Sequence, residues 1–273
     1  MQKFDKKNFK IKNVVDTDIP EKKKVFGQHF LRKHSTVDNM IHAVTITPQT
    51  TVIEIGCGDG FLTKAILTQT PCHKLVCFEI DPEWATYVGE RVTDARLDLR
   101  LQNILEASFD TVVSEAPLIM LANLPYQITF PILYMVQKSK QRFGDIVVMV
   151  QEEVGQKLAA QHGKSFSAVT LFFQHHFTIK LLEKIEPGAF TPPPKVFSRL
   201  VQLTPRQGPE IPDEAAFWEM VKLCFRSPRQ TLKNNLRTTH FDLEKTSPEL
   251  LAKRAQQLEF ADFMELWNAL RAA

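Results

Sequence analysis

TVIEIGCGDGF, residues 51–61, joins an apolar run to a cluster of glycines and then to the start of a helical pattern. Thr51–Ile55 is predicted to be a buried strand, because a short apolar run that ends at glycine is typical of one. The glycines of Gly56-Cys-Gly-Asp-Gly60 permit a sharp turn and let the backbone approach a ligand closely. Residue 61 is Phe, so the pattern is G-x-G-x-G and not the dinucleotide pattern G-x-G-x-x-G. The stretch predicts a strand–turn–helix unit beside a ligand.

The flanking sequence repeats this alternation of apolar runs and helical patterns. Further runs lie at Leu75–Ile80, Leu97–Leu101, Leu118–Ala122 and Ile146–Val150. Helical patterns lie between them, around residues 60–69, 82–92, 128–140 and 151–162. Such alternation predicts an α/β fold, a mostly parallel sheet with helices on both faces. Ala168–Leu182 and Arg199–Leu203 are predicted to close the sheet as a β-hairpin.

Charge and periodicity divide the 273 residues into three parts. Residues 1–24 are predicted to be a flexible basic arm, 25–205 the sheet domain, and 206–273 a small all-helical domain. Met1–Lys33 has ten Lys/Arg against four Asp/Glu, and Lys222–Arg237 has five against none. Local basic surfaces on a chain of net charge +3 indicate a polyanionic partner.

Composition excludes several classes of protein. No apolar stretch approaches the ~18 residues of a membrane span, and no secretory signal pattern is present. The four cysteines lack zinc spacing such as C-x-x-C, so we expect reduced thiols, no metal and a cytoplasmic location. His175 and His176 are predicted to be strand residues, since no third metal ligand is spaced near them.

The acidic residues around the glycine turn indicate the kind of cofactor. Glu79 ends the second apolar run, where a carboxylate can accept hydrogen bonds from both ribose hydroxyls of an adenosine-type cofactor. Glu54 and Asp59 are acidic, and the last glycine of the dinucleotide pattern is missing. These features disfavour a pyrophosphate and favour a cationic cofactor such as S-adenosyl-L-methionine.

Asn123-Leu-Pro-Tyr126 follows the fourth apolar run, Leu118–Ala122, at the carboxyl end of the sheet, where ligands bind in open α/β folds. An adenine amino group is a poor nucleophile, because its lone pair is delocalised into the ring. The side-chain carbonyl of Asn123 and the backbone carbonyl of Leu124 can draw its two N–H groups out of plane. Pro125 stiffens the backbone, and Tyr126 offers a face for an extruded base. The alternative is a Pro-Tyr loop in which Asn caps the next helix.

With these motifs, the chain resembles the small-subunit ribosomal RNA adenine dimethyltransferases over residues 22–270. The matching blocks, besides those quoted above, are Val25-Phe-Gly-Gln-His-Phe-Leu31, Phe78-Glu-Ile-Asp81, Val150-Gln-Glu-Glu-Val154, Phe190-Thr-Pro-Pro-Pro-Lys-Val196 and Phe225-Arg-Ser-Pro-Arg-Gln-Thr-Leu-Lys-Asn-Asn-Leu236. The resemblance implies a class I methyltransferase fold. It also implies S-adenosyl-L-methionine as cofactor and dimethylation of two adjacent adenosines in a hairpin loop near the 3′ end of the small-subunit RNA.

The resemblance also implies roles for individual residues. Those assigned to the cofactor are His29 and Leu31 at its methionine end, Gly56 and Gly58 beneath it, Glu79 at the ribose, Asn103 at the adenine amine, and Asn123. Asn123 also holds the target amine, and Tyr126 and Phe190 sandwich the target adenine. His29 stands where the family has Asn, and Asn103 where it has Asp, so a diverged paralogue with another RNA target stays open.

The basic residues of the two ends are predicted to bind RNA. This set is Lys22, Lys23, Lys24, Lys222, Arg226, Arg229, Lys233 and Arg237. A helix capped by Ser227 would place the basic residues of 229–237 on one face. Other helices are predicted from Asp213 to Phe225, Ser247 to Leu258 and Ala261 to Ala272.

Three classes of function are consistent with the sequence. The first is dimethylation of small-subunit ribosomal RNA, or of the assembling small subunit, by a monomer that needs neither membrane nor metal. The second is the erythromycin-resistance type of enzyme, which methylates large-subunit RNA. The third is a largely non-catalytic ribosome-assembly factor of the same fold. A nicotinamide dehydrogenase is disfavoured by the missing G-x-G-x-x-G pattern.

Overall fold

A seven-stranded sheet forms the centre of the computed structural model, which describes residues 19–21, 23, 27–114 and 116–271. The strands are β1 (Phe30–Leu31), β2 (Thr51–Ile55), β3 (Lys74–Glu79), β4 (Leu97–Leu101), β5 (Leu118–Asn123), β6 (Phe143–Gln151), β7 (Phe177–Ile185), β8 (Phe190–Thr191) and β9 (Ser198–Pro205). The helices are α1 (His34–His42), α2 (Phe61–Gln69), α3 (Pro82–Arg91), α4 (Thr129–Lys138), α5 (Glu152–Ala159), α6 (Ala168–His176), α7 (Glu214–Cys224), α8 (Leu232–Leu236), α9 (Pro248–Ala252) and α10 (Phe260–Arg271).

The order of strands in the large sheet is β4-β3-β2-β5-β6-β9-β7. The first five are parallel, and β9 and β7 are antiparallel to their neighbours. This topology confirms the predicted mostly parallel sheet. Because the order reverses beside β2, the carboxyl ends of β2, β3 and β5 border a crevice at the switch point.

Helices cover both faces of the sheet. Successive residues of β2 point to opposite faces, so Val52 packs with Met40 and Ile66 in one core cluster. Its neighbour Ile53 packs with Ile132 in the other. The central strands are buried on both sides, which explains why their sequences are uninterrupted apolar runs. No helix in the described part of the chain is long and apolar enough to cross a membrane.

The prediction that Ala168–Leu182 forms a strand is half wrong. Residues 168–176 form α6, and the strand begins only at Phe177. Ser167 caps this helix reciprocally with Thr170, whose hydroxyl also donates to the carbonyl of Lys157 at 2.8 Å. The run is rich in aromatic and β-branched residues, and a short apolar run does not separate helix from strand by itself. The predicted antiparallel pairing of the second half with residues 199–203 is confirmed.

Two helices of the carboxyl-terminal region are shorter than predicted. The helix expected from Ser227 begins at Leu232, with Thr231 as its cap. The buried Asn235 holds residues 224–227 in a turn: its Nδ2 donates to two carbonyls there, and its Oδ1 accepts from the amide of Ser227. The helix expected over residues 247–258 ends at Ala252 and is followed by a turn of 3₁₀-helix. The helices α7 and α10 agree with prediction to within about one residue.

The carboxyl-terminal helices pack on the sheet domain through a third core cluster. It unites Phe217, Phe263 and Trp267 with Phe166 and Leu171, which precede β7. The junction is therefore apolar. The domain boundary near residue 206 remains a prediction.

Candidate active site

The glycine turn forms the floor of a crevice at the carboxyl end of β2. The amide of Gly56 donates to the carbonyl of Phe78 at 2.8 Å, which joins the turn to the neighbouring strand. Gly58 has φ +52°, and a Cβ there would lie 2.7 Å from the ring of Phe30. Only glycine fits this position, because both the backbone angle and the space exclude a side chain. The backbone is thereby exposed to a ligand in the crevice.

Glu79 is fixed at the end of β3 by main-chain donors. Its Oε1 accepts from the amides of Ile80 and Asp81, both at 2.9 Å, and its Oε2 accepts from the amide of Gly58 at 3.2 Å. The side chain is buried, so the carboxylate is held in one orientation beside the glycine turn. The thiol of Cys57 also donates to Oε2, at 3.5 Å, and the carboxylate lines the cleft beside the glycine turn.

Asn103 lies at the same edge, after β4. Its Oδ1 accepts from the amide of Leu105 at 3.1 Å, and its Nδ2 donates to Glu106 at 2.9 Å. Both bonds fix which side of the amide is the acceptor. The carbonyl side can take one more donor.

Asn123 ends β5 on the opposite side of the crevice. Its Nδ2 donates to the main-chain carbonyl of His29 at 3.0 Å. No described residue donates to its Oδ1, and the bond at Nδ2 fixes the orientation of the amide. The amide of Leu124 donates to the carbonyl of Met149 at 3.2 Å, which ties the segment to β6.

Tyr126 is held by its hydroxyl, which lies 2.6 Å from Oγ of Ser198. Burial raises the pKa of this phenol, so the ring is neutral and its hydroxyl is a hydrogen-bonding group. Ser198 was not predicted from the sequence. Nothing in its local pattern distinguishes it, since its contact with Tyr126 spans 72 residues.

These residues line a cleft with about 740 Å³ of empty space, including its open mouth. The predicted site residues on its walls are His29, Gly56, Gly58, Glu79, Asn103, Asn123, Leu124, Pro125 and Tyr126. A smaller pocket adjoins it beside Leu31 and Asp59. An outer pocket is lined by Lys23, His29, Tyr126 and the Pro192–Val196 segment. The size, the glycine floor and the fixed acceptors fit an adenosyl cofactor.

The acidic residues of the turn are less negative than the sequence suggests. Burial raises the pKa of Glu54 to about 8, so its carboxyl is protonated at neutral pH. Thr63 donates to it at 2.8 Å. Asp59 forms an ion pair with Arg32. The expectation that these two side chains offer free negative charge to a cation is therefore wrong for Glu54, and Asp59 shares its charge with an arginine.

The structure does not bring Phe190 into the cleft. Phe190 pairs with Leu31 across the short β1–β8 ladder, and its side chain is 3% exposed within the core cluster that contains Met40. Successive residues of a strand point to opposite sides. Thr191 is exposed, so the ring of Phe190 is directed into the core. Its expected place opposite Tyr126 is not seen here.

The predicted RNA-binding residues differ in how free their charges are. Lys22 and Lys24 lie outside the described residues. Lys23 forms ion pairs with Asp81 and Glu83, both at 2.9 Å. The other five members belong to the carboxyl-terminal region.

Lys222 pairs with Glu219, and Arg226 donates to the carbonyl of Asn235. Arg229, Lys233 and Arg237 are exposed and meet no acid within ion-pair distance in the described part of the chain. Arg229 precedes α8, so the predicted stripe on one helix face is wrong, although the three charges stay within one short segment.

His175 and His176 lie in the last turn of α6, not in a strand, and Glu214 of α7 approaches them. Nε2 of His176 is 3.6 Å from Oε1 of Glu214, and Nδ1 is 3.1 Å from Nζ of Lys140. Burial, followed by the positive charge of Lys140, lowers the pKa of His176 to about 4. Glu214, the third potential ligand of this group, was missed because it is distant in sequence. The cluster already contains a cation, the ammonium of Lys140.

Comparisons with known proteins agree with this geometry. A family model described as ribosomal RNA adenine dimethylase matches residues 19–271. Among curated relatives, "Ribosomal RNA small subunit methyltransferase A" of Prosthecochloris aestuarii is 33% identical over 256 residues, 93% of this chain and 96% of the relative. The protein of the same name from Lactobacillus delbrueckii subsp. bulgaricus is 34% identical over 279 residues, 94% and 93% of the two chains.

Two solved structures share the fold. A dimethyladenosine transferase from Plasmodium falciparum has a TM-score of 0.74 at 23% identity, covering 87% of this chain and 96% of that one. The 23S rRNA methyltransferase ErmE has a TM-score of 0.71 at 22% identity, covering 88% and 99%. Both likenesses confirm the class I methyltransferase fold with its helical extension.

Proposed function

This chain belongs to the ribosomal RNA adenine dimethylases, which are S-adenosyl-L-methionine-dependent methyltransferases, and on that premise we propose its substrate and the roles of its residues. The substrate is a hairpin loop near the 3′ end of small-subunit ribosomal RNA, within the assembling subunit. Each of two adjacent adenosines there receives two methyl groups on its exocyclic amine. Support comes from relatives named for the small subunit that align over nearly the whole chain.

The cleft residues divide the work of holding the cofactor. Glu79 accepts the ribose hydroxyls, and Asn103 accepts the adenine amine through the carbonyl that its bond to Glu106 orients. Gly56 and Gly58 allow the backbone to lie beneath the cofactor, and Leu31 lies beside its methionine end. When bound, S-adenosyl-L-methionine supplies a methyl group attached to a positively charged sulfur.

Asn123 carries the proposed chemistry. Its Nδ2 is engaged by His29, so its Oδ1 is left to accept one N–H of the target amine. The carbonyl of Leu124, stiffened by Pro125, accepts the other. The amine becomes more tetrahedral, and its lone pair forms the new N–C bond as the C–S bond breaks. The nitrogen then loses a proton to water, so it is neutral and can react a second time with another molecule of S-adenosyl-L-methionine. The rest of the catalysis is positioning of an in-line transfer.

RNA contact is assigned to the basic residues outside the cleft. Arg229, Lys233 and Arg237 present unpaired charge to phosphates, and such contacts set the register of a nucleic acid without reading its bases. Lys22, Lys23, Lys24, Lys222 and Arg226 extend this surface in the proposal. The proposal also includes action by a single chain, in the cytoplasm and without a metal ion.

The test is methyl transfer to small ribosomal subunits from a strain that lacks this modification, with large subunits as the control. Nucleoside mass spectrometry should show dimethyladenosine from the small subunit only. Asn123→Ala should abolish product while subunit binding is preserved. Product on the large subunit alone would favour the erythromycin-resistance type. Tight subunit binding without product would favour an assembly factor.

A further inference from the structure

Phe197 presents its ring to solvent at the start of β9. Its side chain is 46% exposed, whereas every other phenylalanine in the described ranges is buried or half-buried. Val196, the preceding residue, is 40% exposed. An exposed apolar side chain is common by itself, so the surroundings of the ring decide whether it has a role.

The ring lies at the same edge of the sheet as the cleft. Phe197 directly precedes Ser198, whose Oγ lies 2.6 Å from the hydroxyl of Tyr126. It directly follows the Pro192–Val196 segment, which lines the outer pocket together with Tyr126. Ser198 is fully buried and Phe197 is exposed, so the two side chains point to different sides. The ring of Phe197 is therefore adjacent to the target site but is not part of it.

Positive charge borders this ring. Nζ of Lys184 lies 4.5 Å from the centroid of the Phe197 ring, within the range of a cation–π contact. Lys184 and Lys195 are exposed, and among the described residues neither meets an acid within ion-pair distance. The neighbouring carboxylate of Glu152 is engaged by Arg199 at 2.7 Å. The ammonium of Lys184 covers one face of the ring, so the exposed area is left on the other face and the edges.

An aromatic face beside free ammonium groups is what proteins offer to single-stranded nucleic acid. The ring stacks on a base, and the cations contact the phosphates that flank it. A protein partner would instead need a larger apolar patch, and here only Val196 and Phe197 are exposed side by side. The chemistry of the patch therefore fits one unpaired nucleotide.

We propose that Phe197 is a stacking platform for the base next to the one that is methylated, with Lys184 and Lys195 at its phosphates. This inference rests on the proposed function, in which two adjacent adenosines react. While one base is in the cleft, its neighbour needs a place outside it. Stacking accepts every base, because every base has a flat face. The platform therefore supports binding and register, and the identity of the base is read elsewhere.

Two substitutions and one control test the platform. Phe197→Trp keeps a flat ring and adds an exposed indole, whereas the native residues Trp84, Trp218 and Trp267 are buried. Its fluorescence therefore reports contacts at this position. Phe197→Leu keeps apolar bulk without a ring. Val113→Ala is the matched control, because Val113 is 87% exposed and lines neither the cleft nor the outer pocket.

The first readout is the fluorescence of Phe197→Trp, saturated with S-adenosylhomocysteine, on binding a hairpin RNA with two adjacent adenosines in its loop. This RNA should quench the added indole. Two further RNAs, each with one of the adenosines replaced by an abasic nucleotide, should bind with little quenching. A fully paired stem of the same length should not quench.

The second readout is the kinetics of methyl transfer to small subunits. Phe197→Leu should raise KM roughly 5- to 150-fold at unchanged kcat, as loss of one base–aromatic stack predicts. Phe197→Trp and Val113→Ala should keep the KM of wild type. Lys184→Gln should make the salt dependence of RNA binding shallower by about one unit of slope. Lys64→Gln, which changes an exposed lysine of α2, should not.

Other patterns would overturn the platform. RNA binding without quenching of the added indole would exclude stacking at Phe197. Quenching that survives both abasic replacements would exclude the neighbouring adenosine as the stacked base. A loss of kcat at unchanged KM in Phe197→Leu would make Phe197 a support for Ser198 and Tyr126. Quenching by the hairpin as expected, without product on small subunits from the wild type, would support the platform and reject the proposed substrate.

Discussion

Glu54 shows how burial changes the chemistry that a residue type suggests. It is 1% exposed at the centre of β2, and its pKa of about 8 leaves it protonated at neutral pH. Desolvation is the main cause, and the nearby Glu79 adds to it. In this state Glu54 is a hydrogen-bonding group that accepts from Thr63, and Glu79 is the carboxylate at the cleft.

Replacing Glu54 by Gln should change how stability depends on pH. Between the ordinary value of 4.5 and about 8, folded Glu54 keeps a proton that the unfolded chain has released. Its contribution to the free energy of unfolding therefore falls as the pH rises through this window. Glu54→Gln should gain several degrees in Tm relative to wild type between pH 5 and pH 8, measured by calorimetry. The same Tm difference at both pH values would contradict the protonated state.

Gly58→Ala should impair both stability and cofactor binding. A positive φ at a non-glycine residue costs about 1 to 3 kcal/mol, and the new Cβ would also meet Phe30, whose ring packs edge-on against Trp84 at 4.7 Å. Gly163→Ala is the control for the backbone term, because Gly163 has φ +80° and open space around it. Gly58→Ala should lower Tm more than Gly163→Ala and should weaken S-adenosyl-L-methionine binding in calorimetry. Equal Tm losses with unchanged affinity would argue against the close fit.

At the scale of elements, the segment that carries Arg229, Lys233 and Arg237 is a turn followed by a short helix. Changing all three residues to Ala should weaken RNA binding and make its salt dependence shallower. Three lost phosphate contacts predict a change of about 2 to 3 in the slope of log affinity against log salt. The control changes Lys64 and Lys138, exposed residues of α2 and α4. An unchanged slope would exclude this segment from the RNA surface.

The sequence predicted the elements whose local pattern and tertiary setting agree. The central strands are buried on both faces, so their apolar runs are unambiguous. The failures come from contacts that are remote in sequence or from ambiguous composition. Asn235 competes for the backbone groups that would start a helix at Ser227, and α6 is made of aromatic and β-branched residues that also suit a strand.

The candidate site follows the same rule. Residues at or just after the carboxyl ends of β2, β3, β4 and β5 were predicted because parallel strands bring these ends together. The partners of these residues were not predicted, because they arrive from elsewhere in the chain. Ser198 contacts Tyr126, and Pro192 contacts His29, because β8 and β9 return to the crevice.

At the scale of the whole molecule, the junction between the sheet and the helical region contains a buried polar cluster within an apolar interface. His175 and His176 at the end of α6 face Lys140, Arg206 and Glu214. Aromatic rings surround them: Trp218 and Phe260 pack on His175, and Phe172 packs on His176. Both imidazoles have lowered pKa values, chiefly through burial. The junction is therefore assembled around neutral histidines.

This junction should weaken in mild acid. The unfolded chain binds a proton at His176 near the ordinary value of 6.5, whereas the folded chain does so only near 4. Stability contributed by the neutral ring is present above 6.5 and is lost as the pH falls from 6.5 towards 4. The free energy of unfolding in urea should drop more between pH 7.5 and pH 5 for wild type than for His176→Gln.

Two comparisons isolate this effect from the rest of the molecule. His73→Gln removes an exposed histidine and should keep the wild-type pH dependence. Glu54 acts in the opposite direction over much of the same range, so the difference between each variant and wild type is the quantity to follow. If His176→Gln and His73→Gln gave parallel curves, His176 would not be held neutral. If only His176→Gln flattened the curve, one buried ring at this junction would couple the stability of the molecule to pH.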